Sequence, residues 1–266
     1  GSSLGAEVIR QSFERSPGSP RLHVLDSTHP DQVKAFAEAI DPRSAWVVVA
    51  SKSGSTVDPK LLLSYFLDRF TAELGENAPA RFLAVSDPGS ALDKLAREQR
   101  FLALVPGEPT IGGRFSAISP FGLVPAALLG LDLPRYVNRA AELAADCREA
   151  EVLKNPGVAL GLALGVAAKA GQDKLTLVLA PQIAALGAWL EQLIAESTGK
   201  LGQMILPIDH ELLAPPSWYG KDRLFVVVRY AGRLADEQEA AVASLLFAGL
   251  PVIEIDCADL ASLGAE

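Results

Sequence analysis

Methionine occurs once, cysteine twice and histidine three times in the 266 residues. Cys147 and Cys257 form no CxxC pair, so neither a metal cluster nor a disulfide framework is suggested. A reducing compartment, the cytoplasm, is the expected location. His23, His29 and His210 show no HExxH or comparable spacing, which leaves no metal site to expect. Long hydrophobic runs are missing too. The alanine-rich stretch 157–170 comes closest, but it is weakly hydrophobic and carries Lys169 near its end. A bilayer span needs roughly 20 apolar residues, so no membrane association is expected. Basic residues are in deficit, 24 Lys and Arg against 32 Asp and Glu, for a net charge of −8. That argues against nucleic acid and anionic lipid as partners. A small anionic substrate stays open, because local dipoles and a few cations decide its binding. Neither GxxxxGK[ST] nor a GxGxxG following a strand is present, which disfavours a P-loop enzyme and a nicotinamide-dependent dehydrogenase, and no cofactor is expected. The opening residues do not read as a signal peptide. The chain starts GSSLG without Met and stops at LGAE, and the expectation is a fragment of a longer protein.

What is there is α/β in pattern. With 49% hydrophobic residues, a chain of this length can bury a core without staples, and it has room for two domains of roughly 100–200 residues. Apolar, β-branched runs stand at Trp46–Ala50, Arg81–Ser86, Leu175–Ala180, Leu224–Tyr230 and Pro251–Asp256. They are near-continuous rather than alternating, as in parallel strands buried on both faces. Leu22–Leu25, Leu102–Val105 and Met204–Pro207 are weaker strand candidates. Helical patterns fill the gaps, over Ala6–Phe13, Pro30–Ile40, Pro59–Leu74, Ala91–Arg97, Pro120–Leu129, Pro134–Glu149, Gly157–Ala170, Ile183–Thr198 and Glu237–Phe247. Prolines near their starts and glycines near their ends fit helix punctuation. The expected organisation is one α/β unit over 1–132, a polar linking helix in 133–154 and a second α/β unit over 155–266, each with right-handed crossovers.

Four segments carry candidate chemistry. Ser51-Lys52-Ser53-Gly54-Ser55-Thr56 follows a strand and precedes a helix. Free amides and the positive dipole end favour an anion there, with hydroxyls as further donors. Carboxyl ends of parallel strands are also where ligands bind in open sheets. A polar turn with a helix cap is the alternative. In Gly112-Gly113-Arg114 two glycines hold an arginine near a backbone bend, where it can steady an oxyanion or pair with a structural carboxylate. In the helix ending at Gly199, Leu186, Trp189, Leu193 and Glu196 fall on one stripe. A carboxylate there loses hydration and faces the negative dipole end, both of which suit a general base. The alternative is an outward-turned Glu, or one paired with a structural Arg. The opening Gly1-Ser2-Ser3-Leu4-Gly5 is either a ligand loop or a tag remnant. His210 reads as a solvated loop residue, Arg229 as a salt-bridge partner and Trp218-Tyr219 as a loop anchor or interface.

Taken together, SKSGST at 51–56, GGRFSAISPFGLVPAALLG at 112–130 and WLEQLIAESTGK at 189–200 resemble the glucose-6-phosphate isomerase family, and GSSLG resembles the tail of its GGSxLG loop. The wording is most similar to the isomerase portion of bifunctional transaldolase/glucose-6-phosphate isomerases, with a stand-alone bacterial isomerase of similar type as the alternative, and no transaldolase segment is present in these residues. The resemblance implies two sugar-isomerase (SIS) domains, each an α/β/α sandwich on a mainly parallel sheet. It also implies metal-independent interconversion of glucose 6-phosphate and fructose 6-phosphate through a cis-enediol. By the same resemblance Ser51, Lys52 (through its backbone), Ser53 and Thr56 hold the phosphate, with Ser55 as an extra donor. Gly1, Ser2 and Gly113 line the sugar, Arg114 steadies the enediolate and Glu196 moves the proton. The family's ring-opening histidine segment has no match here, and a lysine used near the family's C-terminus would fall beyond Glu266. Because a neighbouring subunit donates that histidine in the family, a homodimer is implied. A non-catalytic sugar-phosphate-binding module is the competing reading. It would need neither Glu196 nor Arg114.

Overall fold

The computed structural model describes residues 3–264. Helix α1 (Ser3–Ser12) opens the described chain. Two compact units follow: Arg15–Gly130 with the chain up to Arg10, and Leu131 onward with Gln11–Glu14. Both are built on parallel sheets, so the mixed α/β class read from the apolar runs is what the chain adopts.

In the first unit, residues 21–29 are irregular, so Leu22–Leu25 is not a strand. Packing rather than ladder pairing holds this segment. The His23 ring meets Phe36 edge-on at 5.8 Å, and Leu25 packs on the core. Helix α2 (Pro30–Ala39) starts behind His29, whose Nδ1 accepts from the Asp31 N–H at 3.3 Å. Then come β1 (Val47–Ala50), α3 (Val57–Leu74), β2 (Phe82–Ser86), α4 (Ala91–Glu98), β3 (Ala103–Pro106) and α5 (Pro120–Leu129). The strands run parallel in the order β1-β2-β3, with Val49 opposite Ala84 and Ala84 opposite Leu104. This order advances in one direction, so right-handed crossovers set α3 and α4 on the same face. The core agrees: Leu63, Phe66 and Phe70 of α3 and Leu92 and Ala96 of α4 cluster with Val49, Phe82 and Ala84. Phe70 and Phe82, both fully buried, meet edge-on at 5.2 Å. A buried ring of this kind contributes about 3–5 kcal/mol.

The second unit contains α6 (Leu133–Asp146), α7 (Pro156–Lys169), β4 (Lys174–Leu179), α8 (Leu186–Thr198), β5 (Leu206–Ile208), β6 (Arg223–Tyr230), α9 (Asp236–Phe247) and β7 (Val252–Cys257). Its parallel sheet has the order β5-β4-β6-β7. The β4–α8–β5 and β6–α9–β7 crossovers step in opposite directions, so α8 and α9 cover opposite faces. Every residue from Leu175 to Leu179 is buried accordingly, which explains the unbroken apolar run. The single helix expected over Ile183–Thr198 is interrupted. A 3-10 turn at Pro181–Ile183 comes first, and α8 starts only at Leu186. At that start Gly187 lies against the Asp209 carboxylate, where a β-carbon would stand 2.0 Å from Oδ1. Arg229 pairs with Glu239 and with Glu254 at 3.3 Å, the salt-bridge role expected of it. Tyr219 anchors its loop by accepting from the Ala214 N–H at 2.8 Å and packing edge-on against Phe225 at 4.9 Å. Among the described residues no helix is long and apolar enough to cross a membrane.

Candidate active site

The Ser51 corner forms where β1 stops and α3 has not begun. Ser51 is buried, its N–H donates to the Val85 carbonyl at 3.0 Å, and its Oγ accepts from the Gly54 N–H at 3.2 Å. The Ser51 oxygen thus helps shape the turn as an acceptor. Gly54 has φ +62°, and a β-carbon there would sit 2.3 Å from the Leu92 nitrogen. The corner therefore presses against the first turn of α4, where the Ala91 N–H donates to the Ser53 carbonyl at 3.3 Å. Ser53 and Ser55 share a hydroxyl–hydroxyl bond of 2.6 Å on the exposed side. Thr56 occupies the cap position of α3 without a side-chain capping bond. Hydroxyls of Ser53, Ser55 and Thr56 and the leading amides of α3 thus gather at one helix start, an arrangement that suits an anion. Gly54→Ala is expected to destabilise the protein by about 2–4 kcal/mol, since the left-handed backbone and the clash both penalise a β-carbon. Urea unfolding checks this, and an unchanged midpoint would contradict the geometry.

Lys52 turns away from that corner. Its Nζ meets Asp87 at 2.9 Å, donates to the Glu108 carbonyl at 2.8 Å and lies 5.7 Å from the centre of the Phe121 ring. Asp87 follows β2 and Glu108 follows β3, so one ammonium joins all three strand ends. Gly107 leaves room for this, because a β-carbon there would come within 2.5 Å of the Asp87 carboxylate. Strand-end residues of other loops were not legible as partners of SKSGST, although their positions after parallel strands were the available signal. Ser86 adds a further brace. Its Oγ lies 2.6 Å from the Ser51 carbonyl, 3.1 Å from the Lys52 carbonyl and 2.6 Å from Ser90 Oγ, and so carries one donated bond at a time. Nearby, the Arg97 guanidinium and then the Gly89 N–H hold the Asp93 carboxyl below its usual range. Thr110, through its hydroxyl and then its N–H, does the same to Glu108.

Gly113 and Arg114 lie in a 3-10 turn over Gly113–Phe115. Glu108 and Phe121 flank this segment and both meet Lys52, so the loop bearing Arg114 is pinned beside the Ser51 corner at its two ends. The Arg114 guanidinium stacks on the Phe115 ring at 4.8 Å. The serines of this motif serve the loop itself: Ser116 Oγ donates to the Gly113 carbonyl at 2.6 Å and Ser119 Oγ to the Ser116 carbonyl at 2.7 Å. Gly122 admits no side chain, with the Ala117 carbonyl oxygen 1.8 Å from where a β-carbon would be. Gly113 is different, because a β-carbon there would meet nothing within 4 Å among the described residues.

Glu196 belongs to the second unit, in the last turn of α8, and its residue is exposed. That corrects the buried stripe expected from spacing. Leu186 is buried, Trp189 and Leu193 are half-buried, and Glu196 emerges into solvent. The β5 strand facing this helix has only three residues, too few to cover the end of a helix about 20 Å long. Gln192, which the sequence reading overlooked, donates to Glu196 Oε1 at 2.9 Å from one turn earlier. Gly199 ends the helix as expected, but with φ −72°. Glycine is needed for closeness rather than handedness, since a β-carbon would approach the Ala195 carbonyl to 2.6 Å. His210, exposed and bonded through Nδ1 to Asp209 at 2.6 Å, stands near Gly187. Nine helical residues, about 14 Å, separate that point from Glu196. Gly1 and Ser2 fall outside the described residues.

The fold is found in solved structures of other proteins. A solved hypothetical protein from Thermus thermophilus matches 99% of this chain and 72% of its own, with a TM-score of 0.83 at 24% identity. A glucose-6-phosphate isomerase structure from Chlamydia trachomatis matches 99% of this chain and 60% of its own, with a TM-score of 0.78 at 19% identity. Residues 1–206 match the phosphoglucose isomerase family model, and the chain belongs to that family. In sequence, a glucose-6-phosphate isomerase of Prochlorococcus marinus is 32% identical over 204 residues, covering 75% of this chain and 39% of that protein. One from Rubrobacter xylanophilus is 32% identical over 218 residues, covering 78% of this chain and 50% of that protein. The chain therefore spans about two-fifths to half the length of these curated relatives.

Proposed function

We propose that the protein is an aldose–ketose isomerase acting on glucose 6-phosphate and fructose 6-phosphate, through a cis-enediol and without a metal. The observation that carries the proposal is the family match over 1–206, which takes in the Ser51 corner, Arg114 and Glu196 together. The proton next to a sugar carbonyl is weakly acidic, so its removal needs a positioned base and a cation near the developing oxygen charge. Glu196 takes that proton and returns it to the neighbouring carbon. Arg114 steadies the enediolate oxygen. The phosphate, bound away from the reacting carbons by Ser51, by the backbone of Lys52 and by Ser53, Ser55 and Thr56, supplies orientation. In this reading Lys52 contributes its amide rather than its side chain, because its ammonium already has partners, whereas Ser51, whose N–H is taken by the Val85 carbonyl, contributes its hydroxyl proton. The open space above Gly113 suits a sugar lying against the backbone.

The domain division belongs to the same proposal: a sugar-isomerase domain over 1–132, a linking helix in 133–154 and a second domain over 155–266. So do the homodimer, the cytoplasmic location and attachment to a transaldolase segment in a longer polypeptide. A coupled assay converting fructose 6-phosphate to glucose 6-phosphate tests the activity. On the full-length polypeptide, turnover supports the isomerase; sugar-phosphate binding without turnover supports the binding module instead.

A further inference from the structure

We infer that Thr198 is a positioning residue for Glu196, an inference that rests on the proposed isomerase reading. Its hydroxyl has one proton to give and lies 2.8 Å from the Ile194 carbonyl, one turn back in α8. The same oxygen accepts from the Ile205 N–H at 3.0 Å, on the approach to β5. A second carbonyl, that of Ile205, stands farther off at 3.4 Å. One side chain therefore ties the last turn of the helix to the chain entering the sheet, across seven residues.

The intervening turn cannot do this unaided. Lys200 and Gln203 exchange two backbone bonds of 3.1 Å. The residues between them, Leu201 and Gly202, both have positive φ, +54° and +76°. That is the backbone of a type I′ turn, which favours Asn or Gly at both positions. Leu201 is instead a branched residue, fully exposed, in a conformation costly for any side chain bearing a β-carbon. A strained turn with no packing at its tip drifts unless its base is clamped. Thr198 is that clamp, assisted by the Gly199 N–H on the Ala195 carbonyl at 2.8 Å and Lys200 Nζ on the Glu196 carbonyl at 3.0 Å. Glu196 sits inside the clamped turn, two residues before Thr198, so the backbone that aims its carboxylate is fixed by a hydroxyl that touches no substrate.

The test compares Thr198→Val, Thr198→Ser and Glu196→Gln with the unaltered protein by isomerase kinetics and amide hydrogen exchange. Thr198→Val is expected to lower kcat about tenfold, as small misplacements of a catalytic group do, and to leave KM for fructose 6-phosphate within about twofold. Exchange at the Ile205 amide should speed up. Thr198→Ser, which keeps the hydroxyl, should restore both. If Thr198→Val does not fold, Leu201→Gly is combined with it to relieve the turn, and the same split is expected. Unchanged kcat in Thr198→Val beside a dead Glu196→Gln overturns the inference alone. A loss that serine does not rescue, or that falls equally on KM, overturns it as well. Undiminished turnover in Glu196→Gln, or none in the unaltered full-length polypeptide, overturns the isomerase reading and this inference with it.

Discussion

Glu196→Gln is expected to lower kcat for fructose 6-phosphate isomerisation by about 10²–10⁴-fold, the range a lost general base removes. Glutamine keeps the length and shape of the side chain, so α8 and its Thr198 clamp should persist. What disappears is a carboxylate able to take a proton from one carbon and give it to the next. Gln192 now lies opposite an amide instead of a carboxylate at 2.9 Å, and an amide can turn its oxygen to meet that donor. The substitution therefore isolates basicity from placement. KM should stay within a few-fold, because the phosphate is assigned to the Ser51 corner and not to α8. Steady-state kinetics by the coupled assay read both parameters. A loss confined to KM would move Glu196 from proton transfer to binding.

Arg114→Met should cost about 10²–10³-fold in kcat, the effect of removing a donor aimed at a developing oxyanion. Methionine retains an unbranched stem that can cover the Phe115 ring, now touched by the guanidinium at 4.8 Å. The loop itself is held by Ser116, Ser119 and the Lys52 contacts, none of which uses Arg114. Turnover should therefore collapse in a protein that still folds. Arg114→Lys should recover only part of the rate, since a point charge on a flexible stem lacks the planar fork of donors. Equal losses of rate and thermal stability in Arg114→Met would instead mark the arginine as a structural pairing residue.

Strands buried on both faces were readable because continuous apolar runs such as those of β4 and β6 have few other uses. Leu22–Leu25 had the composition of a strand but no neighbour to pair with, and pairing is a property of the fold and not of four residues. The break before α8 was hidden because Pro181 and Gly187 fit a helical pattern, while the Asp209 carboxylate that crowds Gly187 comes from another strand end. The Ser51 corner was legible as strand, hydroxyl run and helix in direct succession. Its brace was not, since Lys52 finds Asp87 and Glu108 across 35 and 56 residues. The stripe of α8 predicted which face Glu196 shares with Leu186. Periodicity says nothing about how far a sheet extends beneath that face, and here β5 is too short to bury it.

The most direct measurement follows fructose 6-phosphate by NMR in heavy water with the purified protein. Proton transfer by one carboxylate predicts glucose 6-phosphate carrying deuterium at the second carbon in part of the product, with both turnover and label lost in Glu196→Gln. Sugar phosphate that binds and is released unchanged and unlabelled, or label that survives in Glu196→Gln, would contradict the account.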